Sequence, residues 1–195
     1  MTSPNQRGFT ILETLLVVGL IGVVSAIAVP TAGNALAHYR VSGDARSLSN
    51  GIALTKVRAA AAFSRVRLFV DLPSKTHHME TWNKTASAWT AEGGNTSLSN
   101  AVTFGYGSIS SAPPNTQTTI GQAPACYDNA GNAIANTACI IFNSRGVPVD
   151  AAGAPTAVDA IYVTDGSSVY SVNISATGMI RMWKTPASTP AWVLQ

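Results

Sequence analysis

From Phe9 to Val29 the chain is apolar at almost every position, and between Leu15 and Val29 only Gly19, Gly22 and Ser25 interrupt the run. A helix needs roughly 20 such residues to cross a bilayer core, so this stretch predicts a membrane span. Pro30 follows; it lacks an N–H and crowds the preceding turn, which predicts a kink or an end. A kink is the better reading, because helical spacing resumes beyond it. Projected at 100° per residue, Val41, Ala45, Leu48, Ile52, Ala59 and Phe63 form one apolar stripe that needs a sheet to lie on.

After Ser64 the period shortens to two. Val66, Leu68, Val70 and Leu72 alternate with Arg67, Phe69 and Asp71 until Pro73, the pattern of a half-buried strand. Further strands are expected at 79–82, 88–90, 102–106, 139–143, 160–164, 169–174 and 179–183, between clusters of Gly, Ser, Asn and Pro. The predicted fold class is α+β: a long N-terminal helix, transmembrane then amphipathic, packed on an antiparallel β-sheet domain. Its expected divisions are 1–8, a span at 9–30, an amphipathic half-helix at 31–64 and a β-rich domain at 65–195.

Glu13 is the one charge inside the apolar run. A secretory signal peptide would place its charge before the run, and here only Arg7 stands there, although Ala26-Ile27-Ala28 resembles a small-residue cleavage site. A carboxylate within a span costs roughly 2.5–3.5 kcal/mol, so it needs a partner or a function. A cut between Gly8 and Phe9 would create a cationic α-amine four residues before Glu13, available to a neighbouring subunit. The other reading sets Glu13 at the water boundary, favoured by the helix N-terminus.

Gly8, Phe9, the acid at Glu13 and an apolar helix with Pro30 together resemble the class III leader of type IV pilins and type II secretion pseudopilins. The resemblance implies a prepilin peptidase that cuts after Gly8 and N-methylates Phe9, and a Glu13 that aligns the subunit in a filament or tip complex with other pilins or pseudopilins. It implies a single-pass inner-membrane precursor with its C-terminal domain in the periplasm, in keeping with Arg7 on the cytoplasmic side. Ala45, Leu48, Ala53 and Arg58, Arg65 to Leu68, Ile140 to Pro148 and Ile174 to Arg181 resemble the GspH/FimT branch, the H-type pseudopilins and related minor pilins. Residues 85–136 carry no placed motif and are expected to be an insertion with a surface of its own.

In a periplasmic domain Cys126 and Cys139 are expected to pair, closing a loop worth roughly 3 kcal/mol; two buried or free thiols are the alternative. No catalytic residue, cofactor or metal site is expected. His77 and His78 are adjacent, so on a strand they face opposite ways. There is no Gly-x-Ser-x-Gly elbow and no phosphate loop. Trp82, Trp89, Trp183 and Trp192 read as core or edge packing.

Charge adds one more reading. Of twelve basic residues, Arg40, Arg46, Lys56, Arg58, Arg65 and Arg67 fall between positions 40 and 67, opposed only by Asp44. Such a bias attracts phosphate. Some FimT-type minor pilins capture DNA through a Gly-Arg-x-Arg-like tail; here that place reads Gly178-Met179-Ile180-Arg181 with Lys184 following, one arginine short. Two functions therefore stay open: a structural subunit supporting protein secretion through contacts with secretion-machine proteins, and a DNA-binding minor pilin using Arg181 and Lys184.

Overall fold

A computed structural model of the protein describes residues 10–195. Helix α1 covers Ile11–Ala61, so Pro30 does not end it. The chain divides into two units, one reaching to Tyr39 and one from Arg40 to Gln195.

In the second unit two antiparallel sheets share a core with the C-terminal part of α1. The first has the order β3-β2-β1-β5-β6, from β1 (Val66–Asp71), β2 (Thr76–Asn83), β3 (Ala88–Ser97), β5 (Thr137–Phe142) and β6 (Pro148–Val149). The second has the order β10-β9-β8-β7-β4, from β4 (Thr103–Phe104), β7 (Val158–Thr164), β8 (Ser168–Ser175), β9 (Ile180–Pro186) and β10 (Val193–Leu194). Val41, Ala45, Leu48, Ile52 and Ala59 are wholly buried against Val66, Leu68 and Val70 of β1, Ile140 and Phe142 of β5, and Ile161, Val172 and Ile174 of the second sheet. Each such Leu, Ile or Val contributes roughly 1.5–3 kcal/mol by leaving water.

Phe63 does not join this stripe. The helix closes with a paired motif in which the Ser64 N–H reaches the Ala59 carbonyl (3.4 Å) and the Phe63 N–H that of Ala60 (3.4 Å). That closure puts Phe63 at φ 46° and leaves its ring 77% exposed. Thr55 fills the gap in the stripe between Ile52 and Ala59, fully buried with its hydroxyl satisfied by donating to the Gly51 carbonyl at 2.7 Å.

The segment 85–136, expected as a separate surface, is built into the packing. Its first part extends β3 to Ser97, past Gly93 and Gly94, in register with β2 across a bulge at His77/Met79. Further on, Tyr106, Ile109 and Ile120 cover Ala160, Tyr162 and Val169 on the outward face of the second sheet. Ala123 then donates to the Ala160 carbonyl (2.7 Å) while Cys139 donates to the Pro124 carbonyl (2.8 Å), so residues 123–124 stitch the two sheets together. Cys126 and Cys139 form a disulfide with Cα atoms 5.0 Å apart, packed with Ile141, Val149, Phe69, Trp89 and Ile134 on the outward face of the first sheet.

Candidate functional site

The N-terminal part of α1 is capped by Thr10, whose hydroxyl accepts the Glu13 N–H at 3.2 Å, placing Glu13 in the first turn. Behind it, Ile11–Ala28 has mean hydropathy 2.4 and no burial, with Leu15, Leu16, Val18, Leu20, Ile21, Val23, Val24 and Ile27 exposed. The helix is long and apolar enough to cross a membrane. Among the described residues Glu13 has no ion-pair partner. Gly8 and Phe9, the expected cleavage and methylation site, lie outside the described residues, as does Arg7.

Arg181 and Lys184 stand on β9 but not together. Three positions apart on a strand, they project to opposite faces. Lys184 lies over the buried Tyr170 ring at 5.6 Å, whereas Arg181 is exposed opposite Asn173 on the other face. The helix arginines are dispersed too. Arg58 donates twice to Glu92, at 2.6 and 2.8 Å, and those hydrogen bonds hold the Glu92 carboxyl below its usual range. Lys56 turns inward, giving its ammonium to the Gly178 carbonyl at 2.9 Å with its stem against Gly146.

Arg65 and Arg67 meet the tryptophans, a grouping that sequence reasoning did not assemble. Trp82 and Trp89 face each other across β2 and β3, rings edge-on at 5.2 Å. The Arg67 guanidinium lies 4.1 Å over Trp89, pairs with Glu80 and donates to the Tyr127 carbonyl at 2.6 Å. It is 3% exposed, and burial pulls its pKa below the ordinary arginine value against the opposing pull of Glu80. Arg65 lies 5.0 Å over Trp82 and donates to the Ala151 carbonyl at 3.0 Å. The legible signal was the i, i+2 spacing of the arginines together with two tryptophans placed symmetrically about the turn at 84–87.

The histidines face opposite ways. His77 is buried on the inward face beside Gly51, and burial lowers its pKa. His78 stacks on Phe69 at 5.0 Å and sits 3.2 Å from Glu80. Among the described residues no group of three or more His, Cys, Asp or Glu could hold a metal ion.

Residues 3–29 match the family described as the prokaryotic N-terminal methylation motif. No curated protein matches the chain in sequence. Two solved structures of the minor pseudopilin EpsH from the type II secretion system of Vibrio cholerae are similar to it. One has 10% identity and a TM-score of 0.37, covering 80% of this chain and 96% of EpsH. The other has 11% identity and a TM-score of 0.44, covering 73% and 92%. The chain thus carries a prokaryotic N-terminal methylation motif at the head of an apolar helix, followed by an antiparallel α+β domain.

Proposed function

We propose that the chain is a minor pseudopilin or minor pilin, a non-enzymatic structural subunit held in the inner membrane by α1 and then drawn into a filament or its tip in support of protein secretion. Prepilin peptidase cleaves after Gly8 and methylates Phe9, and Glu13 pairs with the new α-amine of a neighbouring subunit. The observation that carries this reading is Glu13 itself: one carboxylate without an ion-pair partner among the described residues, at the start of an exposed apolar helix, inside a methylation motif. An acid in a span costs roughly 2.5–3.5 kcal/mol, which an intermolecular amine offsets. The domain at 65–195 then lies in the periplasm, where its disulfide persists. DNA capture through Arg181 and Lys184 loses its shared patch, since the two point to opposite faces of β9.

The test is intact mass and N-terminal analysis of the membrane-extracted protein, expressed with and without prepilin peptidase. A chain beginning at N-methylated Phe9 only in the presence of the enzyme is the expected result. Retention of Met1 in both cases, or a cut near Ala28, overturns the reading.

A further inference from the structure

Two cavities share a floor on the outward face of the first sheet. One, of about 340 Å³, is bounded by Arg65, Arg67, Trp82, Trp89, Asp128 and Asn129. The other, of about 290 Å³, is bounded by Pro124, Val149, Asp150, Thr156 and Asp159. Tyr127, Ile141, Ala151 and Ala152 line both, so they form one trough.

The polar groups of the trough divide into those already engaged and those left over. Arg67 is engaged by Glu80 and the Tyr127 carbonyl. Asp128 has no cationic partner among the described residues, but both its oxygens are occupied: one accepts the N–H groups of Ala130 and Asn132, and the other accepts the Asn132 amide. Asn129 uses its oxygen on the Trp89 N–H at 2.9 Å. Arg65 is different, for among the described residues it has no carboxylate partner, only the Ala151 carbonyl and the ring faces.

At the other end the imbalance has the opposite sign. Asp150 accepts the Ala154 N–H with one oxygen, and neither it nor Asp159 has a cationic partner among the described residues. Asp159 is partly buried, and that burial pushes its carboxyl above the usual range. An incoming cation would restore what desolvation removes. The trough therefore offers an unmatched cation on an aromatic wall, an apolar floor at Ile141, Ala151 and Ala152, and two unmatched acids.

We propose that this trough is a docking site for an extended segment of a partner protein, with an acidic side chain seated at Arg65 and Trp82 and a lysine or arginine seated at Asp150 and Asp159. Side chains two apart on an extended segment emerge on one face about 7 Å apart. Paired cavities reading alternate side chains are a recurring mode of peptide recognition. Opposite charges at the two ends fix the register of the segment and exclude peptides of uniform sign.

The test uses the full chain in detergent micelles, with the indole N–H signals of the tryptophans followed by NMR. The probes are five blocked pentapeptides: Ser-Glu-Val-Lys-Ser, its reverse order Ser-Lys-Val-Glu-Ser, and the Glu/Glu, Lys/Lys and Gln/Gln versions. One mixed-charge peptide is expected to move the Trp82 and Trp89 signals saturably, leave Trp183 and Trp192 in place, and bind roughly three- to fivefold more tightly than the Gln/Gln peptide. Arg65→Gln should abolish the preference for Glu and Asp159→Asn that for Lys. Because the peptide series varies charge on an unaltered protein, the comparison holds even if a variant folds poorly. Equal binding of all five peptides, or no movement of the Trp82 and Trp89 signals with any of them, overturns the proposal. The proposal is independent of leader processing, which peptide binding does not report.

Discussion

Replacing Gly178 by alanine should cost far more stability than the same change at Gly166, although both glycines sit in hairpin turns with positive φ, +76° and +86°. A left-handed conformation penalises any residue with a Cβ by roughly 1–2 kcal/mol, and both variants bear that cost. At Gly166 a Cβ would meet nothing within 4 Å. At Gly178 it would stand 2.8 Å from the Gly146 carbonyl oxygen and 3.1 Å from Lys56 Nζ. The first contact is with backbone and cannot be relieved by a side-chain rotation, so the overlap adds roughly 1–3 kcal/mol. The smaller unfolded-state gain of a Gly→Ala change is common to both and cancels in the comparison. Expected losses are therefore about 2–5 kcal/mol for Gly178→Ala and about 1–2 for Gly166→Ala. Urea titration of the full chain in micelles, read by tryptophan fluorescence, measures both at constant slope. Lys56→Met should not rescue Gly178→Ala, since the Gly146 contact remains. Equal losses at the two glycines would refute the idea that the turns of the two sheets are wedged against one another.

Phe63→Gly should stabilise the protein by about 0.5–1 kcal/mol, because Phe63 holds the left-handed position of the helix closure with little packing to lose. A lowered urea midpoint would contradict this. His77, whose pKa is depressed by burial, makes stability fall as pH drops through the ordinary histidine value near 6.5, because the unfolded chain takes up a proton that the folded one resists. The loss between pH 7.5 and 5.5 should shrink in His77→Gln; an undiminished loss would place the titration elsewhere.

Alternation from Val66 to Leu72 and the helical stripe up to Ala59 were legible because the inward residues of both elements share one apolar core, and period alone reports that. The reading failed where burial follows no period or where pairing overrides composition. Val102, Ile109, Ala123 and Cys126 are buried singly, at intervals with no period, so beyond the strand expected at 102–106 nothing local marked 107–126 as part of the core. Gly93 and Gly94 read as a break, yet β3 runs through them: Glu92 pairs with Met79 and Thr96 with His77, and the two glycines lie in the bulge between. Phe63 looked like the last rung of the stripe, but a residue two past the helix end no longer follows its rotation. At the candidate site, Glu13 stood out because a charge in an apolar run is costly wherever the run goes. Arg65, Trp82 and Trp89 converge through strand register, which the sequence does not display, and Arg181 and Lys184 separate for the same reason.

Lys56 acts as a key in a shaft. Its stem passes Gly146 and its ammonium ends on the Gly178 carbonyl, 122 positions away in sequence, so two hairpin turns grip the helix at one azimuth. A helix resting on an apolar layer by contact alone can roll by a fraction of a turn at small cost, whereas a keyed one cannot. The grip therefore sets which residues of α1 look outward, Leu54 and Val57 among them, at 59% and 65% exposure. The compass bearing of the helix's outer surface is thus governed from the far end of the chain, by two glycines that never reach that surface.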